Sequence, residues 1–157
     1  MMQKDKQMTE IRNATVNELD FCTELETNTF SEPWSKNAFL QCIDSEDSYF
    51  NIAFINNKPV GYYVAGNICN EINLYTIAVS PEHRKCGIGK AMLQHLIQSA
   101  KKDDAYFIGL EVRESNTYAI RLYESEGFIC NGKRKNFYKK PTEDALLYTL
   151  YFKEENT

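Results

Sequence analysis

Ile77-Ala78-Val79-Ser80-Pro81-Glu82-His83-Arg84-Lys85-Cys86-Gly87-Ile88-Gly89-Lys90-Ala91-Met92-Leu93 is the stretch from which the rest of the chain can be read. It opens as the end of a strand, Glu71–Val79, and Ser80-Pro81 stops that strand. After Gly87 the period changes. Ile88, Met92, Leu93, Leu96, Ile97 and Ala100 recur at helical spacing and predict a helix from Ile88 to Lys101. The turn between carries Gly87 and Gly89, which admit backbone angles closed to other residues and let a ligand approach the main chain. Free N–H groups at a helix start, with the positive end of its dipole, form an anion site. Arg84, Lys85 and Lys90 add cationic side chains to the same turn.

The spacing is neither the G-x-x-x-x-G-K-[ST] phosphate loop nor the dinucleotide pattern G-x-G-x-x-G after a first strand. By itself, Gly-x-Gly before a helix is as often a tight connection as a binding turn.

Upstream, residues 10–15 read as a short first strand. Asn17 is placed to cap a helix through Leu19, Cys22, Leu25 and Phe30. Ser31-Glu32-Pro33-Trp34-Ser35 breaks it, and Ser35 caps a second helix carrying Phe39 and Ile43. Tyr49–Ile55 and Val60–Ala65 are strand candidates joined by a turn at Asn56-Asn57-Lys58-Pro59. Downstream, Tyr106–Val112 alternates, with Ile108, Leu110 and Val112 on one face and Phe107, Gly109 and Glu111 on the other. Asn116 caps a helix through Tyr123, and Gly127 supplies its stop. Phe128–Tyr138 reads as one bent strand despite the turn-like Asn131-Gly132, and Ala145–Phe152 as the last. The order is that of an α+β protein whose mixed sheet is flanked by helices.

The 157 residues are expected to form a single domain spanning 1–157, with flexible termini at 1–8 and 153–157. Hydrophobic residues at 43% and charged residues at 25% are ordinary for a soluble globular protein. The net charge of −4 speaks against a nucleic-acid partner, which favours a basic balance. Cys22, Cys42, Cys69, Cys86 and Cys130 are an odd set without a C-x-x-C pair, and only His83 and His95 accompany them. Neither a disulfide framework nor a metal site is expected. The N-terminal residues lack an apolar signal core, and no run approaches the ~20 apolar residues of a membrane helix. The expected location is the cytoplasm, with no membrane partner.

The long string around Gly87 closely resembles the acetyl-CoA motif of GNAT-family N-acetyltransferases, [Gln/Arg]-x-x-Gly-x-[Gly/Ala], here Arg84-Lys85-Cys86-Gly87-Ile88-Gly89. A second signature is Leu110-Glu111-Val112-Arg113-Glu114-Ser115-Asn116, then Ala119-Ile120-Arg121-Leu122-Tyr123 and Gly127-Phe128. It resembles most the bacterial ribosomal-protein-alanine N-acetyltransferase (RimI-type) subfamily. The resemblance implies an α/β/α layered fold, a mixed, mostly antiparallel sheet of about seven strands with about four helices. It implies acetyl-CoA as cosubstrate. The diphosphate would be held at Arg84, Lys85, Cys86, Gly87, Ile88, Gly89 and Lys90, and the pantetheine arm along Ile77, Ala78 and Val79. Asn116 matches a further position that contacts coenzyme A.

The acid–base chemistry follows from the reaction. A thioester carries an activated acyl group, so an amine attacks it directly, leaving two proton movements to manage. An α-amino group has a reference pKa of ~7.7–8.0 against ~10.4 for lysine, and a terminal amine is therefore easier to deprotonate at neutral pH. Glu111 is the expected base, acting directly or through water, with partial burial expected to strengthen it. Tyr123 is the expected acid, helped by hydrogen bonding to the departing sulfur. A lone Glu on a strand is otherwise a solvated charge, and a lone Tyr on a helix packs with a wet tip. Cys86 lies beside basic residues as a nucleophile would, but direct transfer needs none.

For the acceptor, Phe30-Ser31-Glu32-Pro33-Trp34-Ser35 and Arg134-Lys135-Asn136-Phe137-Tyr138 resemble segments of the same subfamily that line the peptide groove. Trp34 and Tyr138 are the substrate-binding candidates, core packing being the equal alternative for Trp34. Phe137 stands where the subfamily has a tyrosine. The resemblance implies transfer to the N-terminal alanine of a small-subunit ribosomal protein. Two rivals stand beside it: acetylation of a polyamine, amino acid or antibiotic, and a coenzyme A-binding module without turnover.

Overall fold

Local chain chemistry sets most element boundaries. The computed structural model describes residues 8–152; apart from the exposed Met8, the termini expected to be flexible lie outside them. In chain order the elements are β1 (Glu10–Asn13), α1 (Leu19–Thr29), α2 (Lys36–Cys42), β2 (Ser48–Ile55), β3 (Lys58–Ile68) and β4 (Glu71–Val79). They continue with α3 (Ile88–Lys102), β5 (Phe107–Arg113), α4 (Thr117–Ser125), β6 (Ile129–Lys139) and β7 (Thr142–Tyr151). The strands form one sheet in the order β1-β2-β3-β4-β5-β7-β6. Every neighbouring pair is antiparallel except β4 and β5. The GNAT-like arrangement expected from the sequence is present.

Period-two alternation in β3 divides the core. Tyr63 and Ala65 face a cluster with Met92, Leu93, Leu96 and Ala100 of α3 and Tyr123 of α4. Tyr62 and Val64 face the other, with Leu19, Cys22 and Leu25 of α1 and Phe39 of α2. The stripe of α3 is buried at Ile88, Met92, Leu93, Leu96, Ile97 and Ala100. Each large apolar side chain on it contributes about 1.5–3 kcal/mol relative to exposure. Replacing one leucine by alanine would break this packing at a cost of about 2–5 kcal/mol.

Two local expectations are corrected. Thr15, not Asn17, starts the first helical segment: its Oγ1 accepts from the Asn17 amide at 3.2 Å while Glu18 accepts from the Thr15 amide at 2.8 Å. This reciprocal box satisfies two amides at once and begins a 3-10 turn, Val16–Glu18, leading into α1. The first hairpin turn is also shorter than expected. Asn56 and Asn57 take φ of +51° and +61°, while Lys58 and Pro59 already pair in β3. Ser35 and Asn116 cap α2 and α4 as read from the sequence, and β6 is one strand broken only by register shifts.

The feature that matters for function is where the sheet comes apart. β4 and β5 pair from Glu71–Phe107 to Asn73–Gly109 and no further. β5 stays with β7 to Arg113–Ala145, whereas β4 stays with β3 to Val79–Gly61. β4 also bulges at Tyr75: Leu74 opposes Ala65 and Thr76 opposes Val64, leaving Tyr75 unopposed. A bulge bends its strand and increases local twist. The result is a cleft between the diverging halves of the two parallel strands.

Candidate active site

One wall of the cleft is the turn that connects β4 to α3. Ser80 donates its amide to Val60 O at 2.8 Å, tying the strand end down before the 3-10 turn Pro81–His83. Lys85 and Gly87 then take φ of +62° and +83°. A Cβ on Gly87 would meet nothing within 4 Å, so glycine is required there by backbone angle and not by space. The first helical bond runs from the Ala91 amide to Gly87 O at 3.0 Å, and the amides of residues 87–90 have no partner within α3. Gly87 offers no side-chain cap for them. Arg84 Nε donates to Val79 O at 2.9 Å, bracing the turn against the strand it leaves.

Beneath this turn is a cavity of about 350 Å³. Ile77, Ala78, Val79, Arg84, Lys85, Gly89, Asn116 and Tyr123 line it, which unites most of the cofactor candidates with the expected acid. Cys86, Gly87 and Lys90 are absent from the lining, and the Ile88 side chain is buried in the core. Thr29, Phe30, His83, Tyr118, Ala119 and Leu122 complete the wall; Phe30, His83, Ala119 and Leu122 fall inside quoted motifs, but none of the six was expected as a site residue. His83 has a trace, since it precedes Arg84 in the motif. Its Nδ1 is buried without a hydrogen-bond partner, Glu82 Oε1 standing 3.8 Å away. An orphaned polar atom is uncommon in a buried wall. With the unpartnered amides, it gives the turn the polar character that an anionic, nucleotide-bearing ligand requires.

Tyr123 is 6% exposed, and its hydroxyl has no protein hydrogen-bond partner among the described residues. Burial, and secondarily the neighbouring Tyr138, push this phenol above the ordinary tyrosine range. It therefore stays neutral and acts as a hydrogen-bond donor more readily than as a proton source.

Glu111 is partly buried and partly open to solvent. Its side chain is 34% exposed, and Oε2 lies 3.9 Å from Arg134 Nη1. Leu110 and Val112 point into the α3 cluster, so Glu111 takes the opposite face of β5. The α1–α2 core cluster draws its strand residues from β2, β3 and β4, and none from β5.

Across the cleft, Arg113 at the end of β5 gathers three segments. Nη1 donates to Pro141 O at 2.9 Å and to Glu143 Oε1 at 3.0 Å; Nη2 donates to Ser31 Oγ at 3.1 Å. Its guanidinium carbon lies 4.4 Å from the centre of the Tyr138 ring. Burial pushes Tyr138 up to about 12, Glu111 pushing the same way and Arg113 opposing. Tyr138 thus feels Glu111 and in turn adds to the upward push on Tyr123. Trp34 is half-buried, packed 5.3 Å from the Phe39 ring and 5.9 Å from that of Tyr75. It packs on the core and borders the bulged strand at once.

Cys22, Cys42, Cys69, Cys86 and Cys130 are all free. Among the described residues, no group of three or more His, Cys, Asp or Glu could hold a metal ion, and no helix is long and apolar enough to cross a membrane.

The sheet thus opens beside a turn whose free amides and cationic side chains suit an anionic ligand, over a cavity that runs from β4 to Tyr123. The acetyltransferase (GNAT) family model matches residues 16–128, and the chain belongs to that family. Within it, the chain is closely related to bacterial bS18-alanine N-acetyltransferases. It is 33% identical over 148 residues to the [ribosomal protein bS18]-alanine N-acetyltransferase of Escherichia coli (strain K12), covering 91% of this chain and 97% of that one. The crystal structure of the ribosomal-protein-S18-alanine N-acetyltransferase from Escherichia coli superposes with a TM-score of 0.85 at 31% identity, covering 96% and 99%. Arabidopsis thaliana NAA60 in complex with acetyl-CoA shares the fold, with a TM-score of 0.85 at 17% identity over 92% of this chain and 100% of that one. The chain is therefore a GNAT acetyltransferase, and the family and fold support acetyl-CoA binding.

Proposed function

We propose that this enzyme acetylates the α-amino group of a protein N terminus, the acceptor being the N-terminal alanine of a small-subunit ribosomal protein. The observation that carries the reading is the reach of the similarity. The family model ends at Phe128, but the likeness to the Escherichia coli bS18-alanine enzyme covers 91% of this chain and 97% of that relative, and so extends over Tyr138 as well.

When bound, acetyl-CoA supplies an acyl group already activated as a thioester. The amides of residues 87–90 and the side chains of Arg84 and Lys85 hold the diphosphate at the start of α3. Cys86 contributes backbone to that turn. The free edge of β4 at Ile77, Ala78 and Val79 takes the extended arm, with the Val79 carbonyl already accepting from Arg84. Asn116, whose Oδ1 caps α4 through the Ala119 amide at 3.2 Å, fixes the opposite border.

Glu111 takes the proton of the incoming ammonium, directly or through water, from an open position at the end of the cleft. Tyr123 donates its hydroxyl to the departing sulfur from a site where burial keeps it neutral. Trp34 and Tyr138 flank the first residues of the acceptor. This reading places the enzyme in the cytoplasm, where new ribosomal proteins appear.

Purified enzyme with acetyl-CoA should add one acetyl group to Ala-initiated ribosomal peptides, and mass spectrometry of the products reads this directly. Unmodified peptides beside an acetylated polyamine or amino acid would sink the protein-substrate assignment while keeping the acetyltransferase.

A further inference from the structure

Glu26 of α1 is 2% exposed and takes no part in the chemistry above. A carboxylate at that depth is costly unless its lone pairs are satisfied. Oε1 accepts from the Tyr62 hydroxyl at 2.6 Å and from the Thr76 hydroxyl at 2.8 Å. Oε2 accepts from the backbone amide of Trp34 at 3.1 Å. The three donors come from β3, from β4 and from the turn between α1 and α2. Thr76 follows the bulged Tyr75 and precedes Ile77, and the Trp34 ring lies against Tyr75.

The donors are not equivalent. A hydroxyl can reverse its role, whereas a backbone N–H only donates. The Trp34 amide therefore demands an acceptor from Glu26. The other end of the same turn is held from outside, where Ser31 accepts from Arg113 and Glu32 Oε1 accepts from the Lys139 amide at 3.2 Å. Without Glu26, the inner end would lose its bond to the sheet.

We infer that Glu26 is a positioning residue: its carboxylate latches the α1–α2 turn to β3 and β4 and so sets where Trp34 stands beside the cleft. The consequence for catalysis rests on the proposed role of Trp34 at the acceptor. The latch itself does not.

Trp34 is the chain's single tryptophan, so its fluorescence reports the turn without labelling. In Glu26→Gln the side-chain oxygen can face the Trp34 amide while the NH2 donates to both hydroxyls, which preserves the latch. Glu26→Leu removes it. The leucine variant should shift Trp34 emission to the red and expose it to acrylamide. It should also raise KM for an Ala-initiated peptide roughly tenfold while KM for acetyl-CoA stays within about twofold. The glutamine variant should remain within about twofold of wild type throughout. Wild-type emission and peptide KM in Glu26→Leu overturn the inference, as does an acetyl-CoA KM that rises in step, or a glutamine variant as damaged as leucine.

Should Glu26→Leu not fold, hydrogen exchange on the wild-type protein decides the matter. The Trp34 amide should exchange far more slowly than the Glu32 amide, and equal rates reject the latch. A wild-type enzyme that ignores all peptides defeats the acceptor assignment alone, because emission and exchange are measured without substrate.

Discussion

Along the wall formed by β4 and the start of α3, the groups that shape the cavity are chain neighbours, from Ile77 to Gly89. Across the cleft, Arg113 draws its partners from Ser31, Pro141 and Glu143, up to 82 positions away. A ligand shared by many enzymes can be held by one local segment that travels between sequences intact. A ligand particular to one enzyme is met by side chains that only the finished fold brings together. The family model takes in the whole turn, Glu111 and Tyr123, and of the opposite wall only Ser31, Trp34 and Arg113, ending before Arg134, Tyr138 and Glu143.

The most severe test of the division lies at its boundary, where both ligands react. Glu111→Gln should lower kcat by about 10²–10⁴ with acetyl-CoA affinity unchanged, and Tyr123→Phe should fall in the same direction. Steady-state kinetics with calorimetric titration of coenzyme A separates the two effects. Wild-type turnover in both variants would remove the acid–base assignment.

A smaller and more discriminating test pairs one residue from each wall. Arg113→Gln keeps a polar group but loses the fork and the stacking on Tyr138, and should raise peptide KM about tenfold with acetyl-CoA KM flat. Gly87→Ala forces a β-carbon into the left-handed region at about 1–2 kcal/mol, and should weaken acetyl-CoA with peptide KM flat. If each variant disturbs both constants equally, the two walls are one mechanical unit and the comparison fails.

The smallest effect is in alkaline stability. Burial raises Tyr138 from 10.0 to about 12. Between those values the unfolded chain has released a proton that the folded chain keeps, so stability falls as pH rises. The contribution is complete below pH 10 and is lost as pH climbs through about 12. Urea unfolding on both sides of pH 10 should show a shallower loss in Tyr138→Phe than in wild type. Equal slopes would mean that the ring gains no protection beneath Arg113.

How much was legible in the sequence follows the same line. The strand–turn–helix around Gly87 announces itself because period, glycine and charge all lie within a few residues. The capping box was present as Thr15-Val16-Asn17-Glu18, and its reciprocal Thr–Glu pair outweighs a lone asparagine. Glu26 gave no such sign: its partners Trp34, Tyr62 and Thr76 are 8, 36 and 50 positions away. Nor could the Tyr75 bulge be read, since it belongs to the match between β3 and β4 and not to either strand. The exposure of Glu111 depends on how far the α1–α2 layer extends across the sheet, which no residue of β5 records.

A sheet that parts midway has four borders where an intact one has two. The outer pair, β1 and β6, faces solvent as in any open sheet. The inner pair, β4 beyond Asn73 and β5 beyond Gly109, faces the opening between the two strands. Whatever settles against the β4 border must present hydrogen-bonding groups at intervals resembling those of a peptide. Admission is therefore decided by rhythm as well as by charge, and a diphosphate on a plain alkyl tail should be retained less well than one on an amide-bearing tail.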